Sequence, residues 1–320
     1  MAGFGPSSRP LRGKSGGSYS FFVSLYVDMK EYCYIVAGHC FSVLAADGMD
    51  LSDELAPYVP FAVRPEGAPE RVFRLHVVAP GQLPAPEEMT EEFTQDDDGS
   101  QIRLCRTADG ASWFEFCLQG TLSGAMLSNP VFTEAKLAIH AYSAFALSNA
   151  LMVMYAMATA PLQTALFHAA VVGCDGRGYL FLGKSGMGKS THARLWLKYI
   201  QGSELVNDDN PVVRVEADGS AWVYGSPWSG KTPCYRNMRL PLGGFVQLAQ
   251  AAHNAIRRLK GLAAYAALVP SISGKRWDRR IADGLHETEN ALASTVPTWH
   301  LDCLPDEAAA RLCAQHIMNP

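Results

Sequence analysis

Eight consecutive residues constrain this chain more than anything else in it: Gly183, Lys184, Ser185, Gly186, Met187, Gly188, Lys189 and Ser190. Their order is that of a glycine-framed loop closed by a Lys-Ser pair, in which backbone N–H groups curl around phosphate oxygens. In that pattern the lysine reaches the outer phosphates and the hydroxyl holds Mg²⁺. The flanks suit it. Residues 179–182 are a short apolar run of strand character, and residues 190–200 put Ala193, Trp196, Leu197 and Ile200 on one helical face. A helix starting there aims its positive dipole end and free N–H groups at the loop. The expectation is nucleotide binding, ATP with Mg²⁺, by residues 183–190 together with Thr191, with Ser190 on the metal and Lys189 on the transferred phosphate. The other reading is a glycine-rich turn that only joins strand to helix.

Phosphate chemistry needs a carboxylate for the metal's ligand shell and, where the acceptor is a hydroxyl, another to take its proton. Asp208 and Asp209 follow the apolar pair Leu205-Val206, and adjacent side chains on a strand point to opposite faces. One can face metal and the other acceptor. Asp208-Asp209-Asn210-Pro211 also reads as a turn with Asx bonding. Upstream, residues 168–173 and 179–182 read as a hairpin around Asp175-Gly176. Pairing about Gly176 would set His168 opposite Lys184, at the mouth of the loop. A lone histidine on an apolar strand is equally read as a satisfied core residue.

Formal net charge of −4 and a pI near 6.1 leave no basic excess for nucleic acid or an anionic membrane. Eight cysteines without a Cys-x-x-Cys pair, in a chain of 320 residues, read as reduced thiols in a cytoplasmic protein. Residues 1–17, rich in Gly and Ser, read as a flexible tail and residues 18–131 as a β-rich domain, with strands at 20–27 and 72–78 and a hairpin of 102–106 with 112–118. Residues 84–100, carrying Asp96-Asp97-Asp98, lack the alternation of a calcium loop and read as a solvated loop. Residues 132–161 read as a connecting helix stopped before Pro161, its apolar part 144–160 too short and too polar for a membrane span. Residues 162–320 form the expected loop-bearing domain, with strands at 204–207, 212–216, 221–224 and 243–248 and helices near 251–268 and 305–318. The fold class is α/β of the mixed α+β kind.

The span 168–209 resembles the catalytic domain of HPr kinase/phosphorylase and the related kinases, whose nucleotide fold is shared with ATP-dependent phosphoenolpyruvate carboxykinase. The resemblance is carried by His168 fifteen residues before Gly183, by Gly183, Ser185, Gly186, Gly188, Lys189 and Ser190, and by the following Asp208-Asp209 pair. It implies a functional role for His168, Asp208 on the metal with Ser190, Asp209 as general base, and phosphate transfer from ATP to a hydroxyl of a peptide, protein or metabolite. Where that family carries a glutamate in an E-V-R-G-like signature, this chain has Gly225-Ser226-Pro227-Trp228-Ser229-Gly230-Lys231, and Lys231 offers a fixed positive charge in its place. Trp228, Lys231 and Arg236 are the candidate acceptor contacts, against a surface turn. Arg239 and the cluster Lys275, Arg276, Arg279 and Arg280 read as anion contacts or as a solvated face. Competing readings are a regulatory or assembly module that binds ATP without transferring phosphate, and a carboxykinase-like enzyme. Association into a homo-oligomer is compatible with all three.

Overall fold

The structure, a computed structural model, describes residues 29–230 and 232–318. The tail at 1–17, the strand expected at 20–27 and Lys231 lie outside the described residues. Tight two-residue turns with both central residues at positive φ build the first half: Ala37-Gly38, Asp98-Gly99 and Gln119-Gly120 each close a hairpin. They join β1 (Met29–Val36), β2 (His39–Ala46), β3 (Ala62–Val63), β4 (Arg71–Val78), β5 (Met89–Asp97), β6 (Ser100–Thr107), β7 (Ser112–Leu118), β8 (Thr121–Ser128) and β9 (Glu134–Ile139) into one sheet. Its order is β3-β1-β2-β4-β9-β8-β7-β6-β5, antiparallel except where β4 pairs with β2 and β9.

Two expectations change here. Within the segment 84–100 only residues 84–88 remain irregular, because Asp98-Gly99 turns the acidic run Met89–Asp97 into the edge strand β5. Residues 134–139 are not helical. Glu134 and Lys136 alternate with buried Ala135 and Leu137, and the strand is held between β4 and β8. The helix that follows, α1 (Ser143–Thr159), is apolar on all sides because it is a layer between two sheets. It packs on β4, β7, β8 and β9 and also on the second half, and Tyr155 donates from its hydroxyl to Val36 O at 3.0 Å. The stretch Ser143–Leu162 is long and apolar enough to cross a membrane by length and composition alone, and 61% of its most apolar window is buried inside this fold.

The second sheet contains β10 (Thr164–Leu166), β11 (Ala169–Cys174), β12 (Arg177–Leu182), β13 (Glu204–Asp209), β14 (Val212–Val215), β15 (Ala221–Tyr224), β16 (Arg239–Gln250), β17 (Ala255–Leu259) and β18 (Thr298–Cys303). The helices are α2 (Lys189–Tyr199) between β12 and β13, α3 (Leu262–Leu268), α4 (Arg279–Thr295) and α5 (Glu307–Ile317). The order is β10-β14-β15-β16-β12-β11-β13, with β18 beside β16 and β17 beside β18. β11 is antiparallel to both β12 and β13, so the chain crosses from β12 through α2 to a strand of the same direction. Residues alternate between the two faces: Leu180 and Leu182 join the core shared with α1 and the first sheet, whereas Tyr179 and Phe181 pack under α2 and α5. On α2 it is Lys189, His192, Ala193 and Trp196 that are buried, while Leu197 is exposed.

The helix expected over 251–268 is β17 followed by the short α3. Gly261 at φ +53 separates them and β18 supplies the pairing partner. The charged cluster that follows is spent on structure. Lys275, 5% exposed, reaches across to the first sheet, where its Nζ lies 2.7 Å from Glu92 on β5. Arg276 pairs with buried Glu289 at 2.6 Å, Arg280 donates to Val131 O, and exposed Arg279 lies 3.5 Å from Asp283. Arg239 stacks on Trp222. The eight cysteines are all free.

Candidate functional site

The turn Asp175-Gly176, with φ of +48° and +73°, closes the β11–β12 hairpin and sets Ala169 opposite Leu182. His168 therefore falls opposite Gly183 rather than Lys184, because the reversal centres between the two turn residues and not on Gly176. After β12 the chain enters the 183–190 loop, in which Lys184, Ser185 and Gly186 are exposed. Gly186 (φ +74°) and Gly188 (φ +101°) occupy conformations that a side chain resists, and they bend the backbone around an open centre. Gly188 is the N-cap of α2 and gives it no side-chain cap, so the first-turn amides of the helix have no capping partner. Gln250 at the end of β16 donates to Gly186 O at 3.3 Å.

Lys189 is 8% exposed, and its ammonium donates to Gly183 O at 3.0 Å and Lys184 O at 3.2 Å, folding back over the loop. Burial lowers its pKa below the usual lysine value, opposed by the negative charges of Asp209, Asp97 and Asp208. Those three carboxylates act on the buried cation by charge alone, since its hydrogen bonds go to the loop carbonyls. Two come from the end of β13 and one from the tip of β5 in the other sheet.

β13 separates its two acids as strand alternation requires. Asp208 pairs with Ala170, whose side chain lies in the cluster under α2, and Asp209 pairs with Ala169 of the opposite cluster. Asp208 is 4% exposed and its Oδ1 is buried without a hydrogen-bond partner among the described residues. A buried carboxylate oxygen left unpaired is costly and asks for a cation. Asp209 is half-buried. Its Oδ1 lies 3.3 Å from His168 Nδ1, its Oδ2 accepts from Asn210 Nδ2 at 2.7 Å, and its amide donates to Asn207 Oδ1 at 3.1 Å. The His168 amide is anchored in turn to Ser271 O at 2.6 Å. The carboxylate is thereby oriented with its histidine beside it.

The 225–230 segment is stapled to this end of β13. Asn207 donates to Ser226 Oγ and Trp228 O, Ser226 Oγ donates to Asn210 O, and Gly230 N donates to Asp208 O at 2.7 Å. This changes two of the acceptor expectations. Trp228 is 3% exposed and wedged between Tyr58 and Tyr155, a core residue because the strand end needs an apolar lid there. Arg236 binds Glu204 and Leu205 O at the far end of β13 from the aspartates.

His168, Asp209, Asn210 and residues 183–185 form one end of a cleft of about 550 Å³, whose other walls are the β5–β6 face, α1 and residues 270–275 with Trp277. The contributions of Asp97, Phe93 and Trp277 were invisible along the chain. The signal for the first two was Asp98-Gly99, a hairpin dipeptide inside what reads as a solvated acidic stretch. Among the described residues no group of three or more His, Cys, Asp or Glu gathers to hold a metal ion by itself.

No protein-family model and no curated protein matches this chain. Among solved structures it is similar to the HPr(Ser) kinase/phosphatase from Coxiella burnetii, at 14% identity over 48% of this chain and 94% of that one, with a TM-score of 0.29. That is a weak structural relation.

Proposed function

We propose that the protein is an ATP-dependent phosphotransferase that moves the γ-phosphate to a hydroxyl of an acceptor held in the cleft. One observation carries this reading: an uncapped helix start and a buried lysine after β12, and a partnerless buried carboxylate and a histidine-oriented carboxylate at the end of β13, lie at the same end of the second sheet. The loop amides and the α2 N-terminus bind the phosphates, and Lys189 swings from the loop carbonyls to the phosphate oxygens. Asp208 and Ser190 are the residues that would hold Mg²⁺, a fit supported by the orphaned Asp208 Oδ1. When bound, Mg²⁺ neutralises charge on the phosphate oxygens.

Asp209 takes the proton of the acceptor hydroxyl as the acceptor oxygen bonds to the γ-phosphorus and the bond to the leaving ADP breaks. His168 at 3.3 Å keeps that carboxylate oriented. Thr191, the third residue of α2 and partly buried, belongs to the same nucleotide-binding segment. Eight free thiols accord with a reducing, cytoplasmic setting. The test is calorimetric titration with ATP and Mg²⁺, together with phosphate transfer to an alcohol panel, for the parent protein and Lys189→Ala. ATP binding and transfer in the parent, both lost in a folded Lys189→Ala, support the reading. Unchanged ATP affinity and turnover in the variant sink it.

A further inference from the structure

We propose that the cleft is the acceptor pocket and that it selects a small alcohol with a bulky apolar or aromatic body. The proposal rests on the phosphotransferase reading for the role of its polar end. Its wall is one face of the β5–β6 hairpin, because Phe93, Gln95 and Asp97 alternate onto the same side and stand opposite Leu104, Ile102 and Ser100. The wall therefore grades from apolar at Phe93 to polar at Asp97 over about 13 Å, four residue steps of strand. The facing wall is α1, where Asn149, Met152, Val153, Ala156 and Met157 follow helical spacing.

At the apolar end the Phe93 and Trp277 rings lie 5.8 Å apart, one from each half of the molecule, and they are 42% and 49% exposed. Two large adjoining aromatics left in water form a ledge that gains by being covered. The polar end holds His168 and Asp209, where a hydroxyl is wanted. Lys275 also lines the cleft, but Glu92 at 2.7 Å neutralises it, and the other lysine of the lining, Lys184, belongs to the loop that binds the nucleotide. A volume of about 550 Å³ is that of a small-molecule site. An acceptor lying along the wall thus puts its apolar body on Phe93 and Trp277 and its hydroxyl beside Asp209.

The experiment compares two probes on the full chain, 3-phenyl-1-propanol and glycerol, with the peptide Gly-Gly-Ser-Gly-Gly as a third. Phosphate transfer from ATP is measured alongside equilibrium dialysis of each probe. The phenyl alcohol is expected to have a kcat/KM at least about tenfold above the other two. Phe93→Ala and Trp277→Ala should each raise its KM about tenfold while ATP affinity is unchanged, whereas Leu122→Ala, an exposed residue on β8, should change neither. Both ledge residues are on the surface, so these variants should fold. Glycerol or the peptide being used as well as the phenyl alcohol, or no response to the two ledge variants, overturns the proposal and leaves the kinase standing. Saturable binding of 3-phenyl-1-propanol, lost in Phe93→Ala, without transfer to any probe supports the pocket and removes the kinase. The absence of both binding and transfer overturns the pocket.

Discussion

Asp208 and Asp209 are neighbours in the chain with opposite surroundings. One is buried with an orphaned oxygen and the other is half-exposed and bonded to His168 and Asn210. Asp208→Asn is expected to weaken Mg-ATP binding, and Asp209→Asn to leave binding largely intact while lowering turnover by roughly a hundredfold to ten-thousandfold, the usual contribution of a positioned base. His168→Ala should give a milder version of the second effect. Calorimetry and transfer assays on the three variants decide this, and a reversed pattern exchanges the two roles. Lys189 differs again, because burial penalises its charged form and its hydrogen bonds among the described residues are to two carbonyls. Lys189→Met should therefore retain or slightly raise thermal stability while losing ATP binding.

β13 and the 225–230 segment act as one element, since the segment's polar groups are satisfied by the strand end that carries the acids. Gly230 is where they touch: a Cβ there would meet Asp208 O at 2.8 Å and Asp209 Cβ at 3.3 Å. Gly230→Ala should cost about 1–3 kcal/mol, the usual penalty of overpacking, and should disturb Mg-ATP affinity and turnover together. A denaturation midpoint equal to the parent's would refute the close approach. α4 depends on its N-cap, because the Asp278 side chain accepts from Ile281 N. Asp278→Ala should lower stability by about 1 kcal/mol in urea titration without touching ATP affinity.

Across the whole molecule the two sheets share a core through α1, and His39 on β2 bonds Thr164 on β10 at 2.8 Å. His39 and His192 are both buried, and burial depresses each pKa to about 4, with Arg214 adding to the effect at His39. The unfolded chain, with histidines near their ordinary value, binds more protons than the folded one between about pH 6.5 and 4. Stability is full above that window and falls as pH drops through it, by on the order of 3 kcal/mol for each histidine. Urea midpoints should decline with pH over this range, and His192→Gln, which keeps an acceptor for Trp196, should flatten the decline. A slope unaltered by the substitution would exclude His192 as a source.

The glycine-framed turn into α2, the hairpin before it and the strand ending in the aspartate pair were readable because each depends on local backbone chemistry: positive φ at glycine, period-two alternation, a helix start. The register of that hairpin follows from the same rule once both Asp175 and Gly176 are counted as turn residues. Asp98-Gly99 follows the same rule, but the surrounding acids hid it, since charged side chains on an edge strand look like a solvated loop. Periodicity also announces α4 through Ile281, Leu285 and Leu292, beneath charges that drew attention to its start. Beyond reach of the chain order were the burial of Trp228 and Lys275, the departure of Arg236 to the far strand end, and the meeting of Phe93 with Trp277. Those depend on which surfaces of two separately built sheets come together, a matter of shape and burial between residues far apart in the chain, and local propensity carries no information about it.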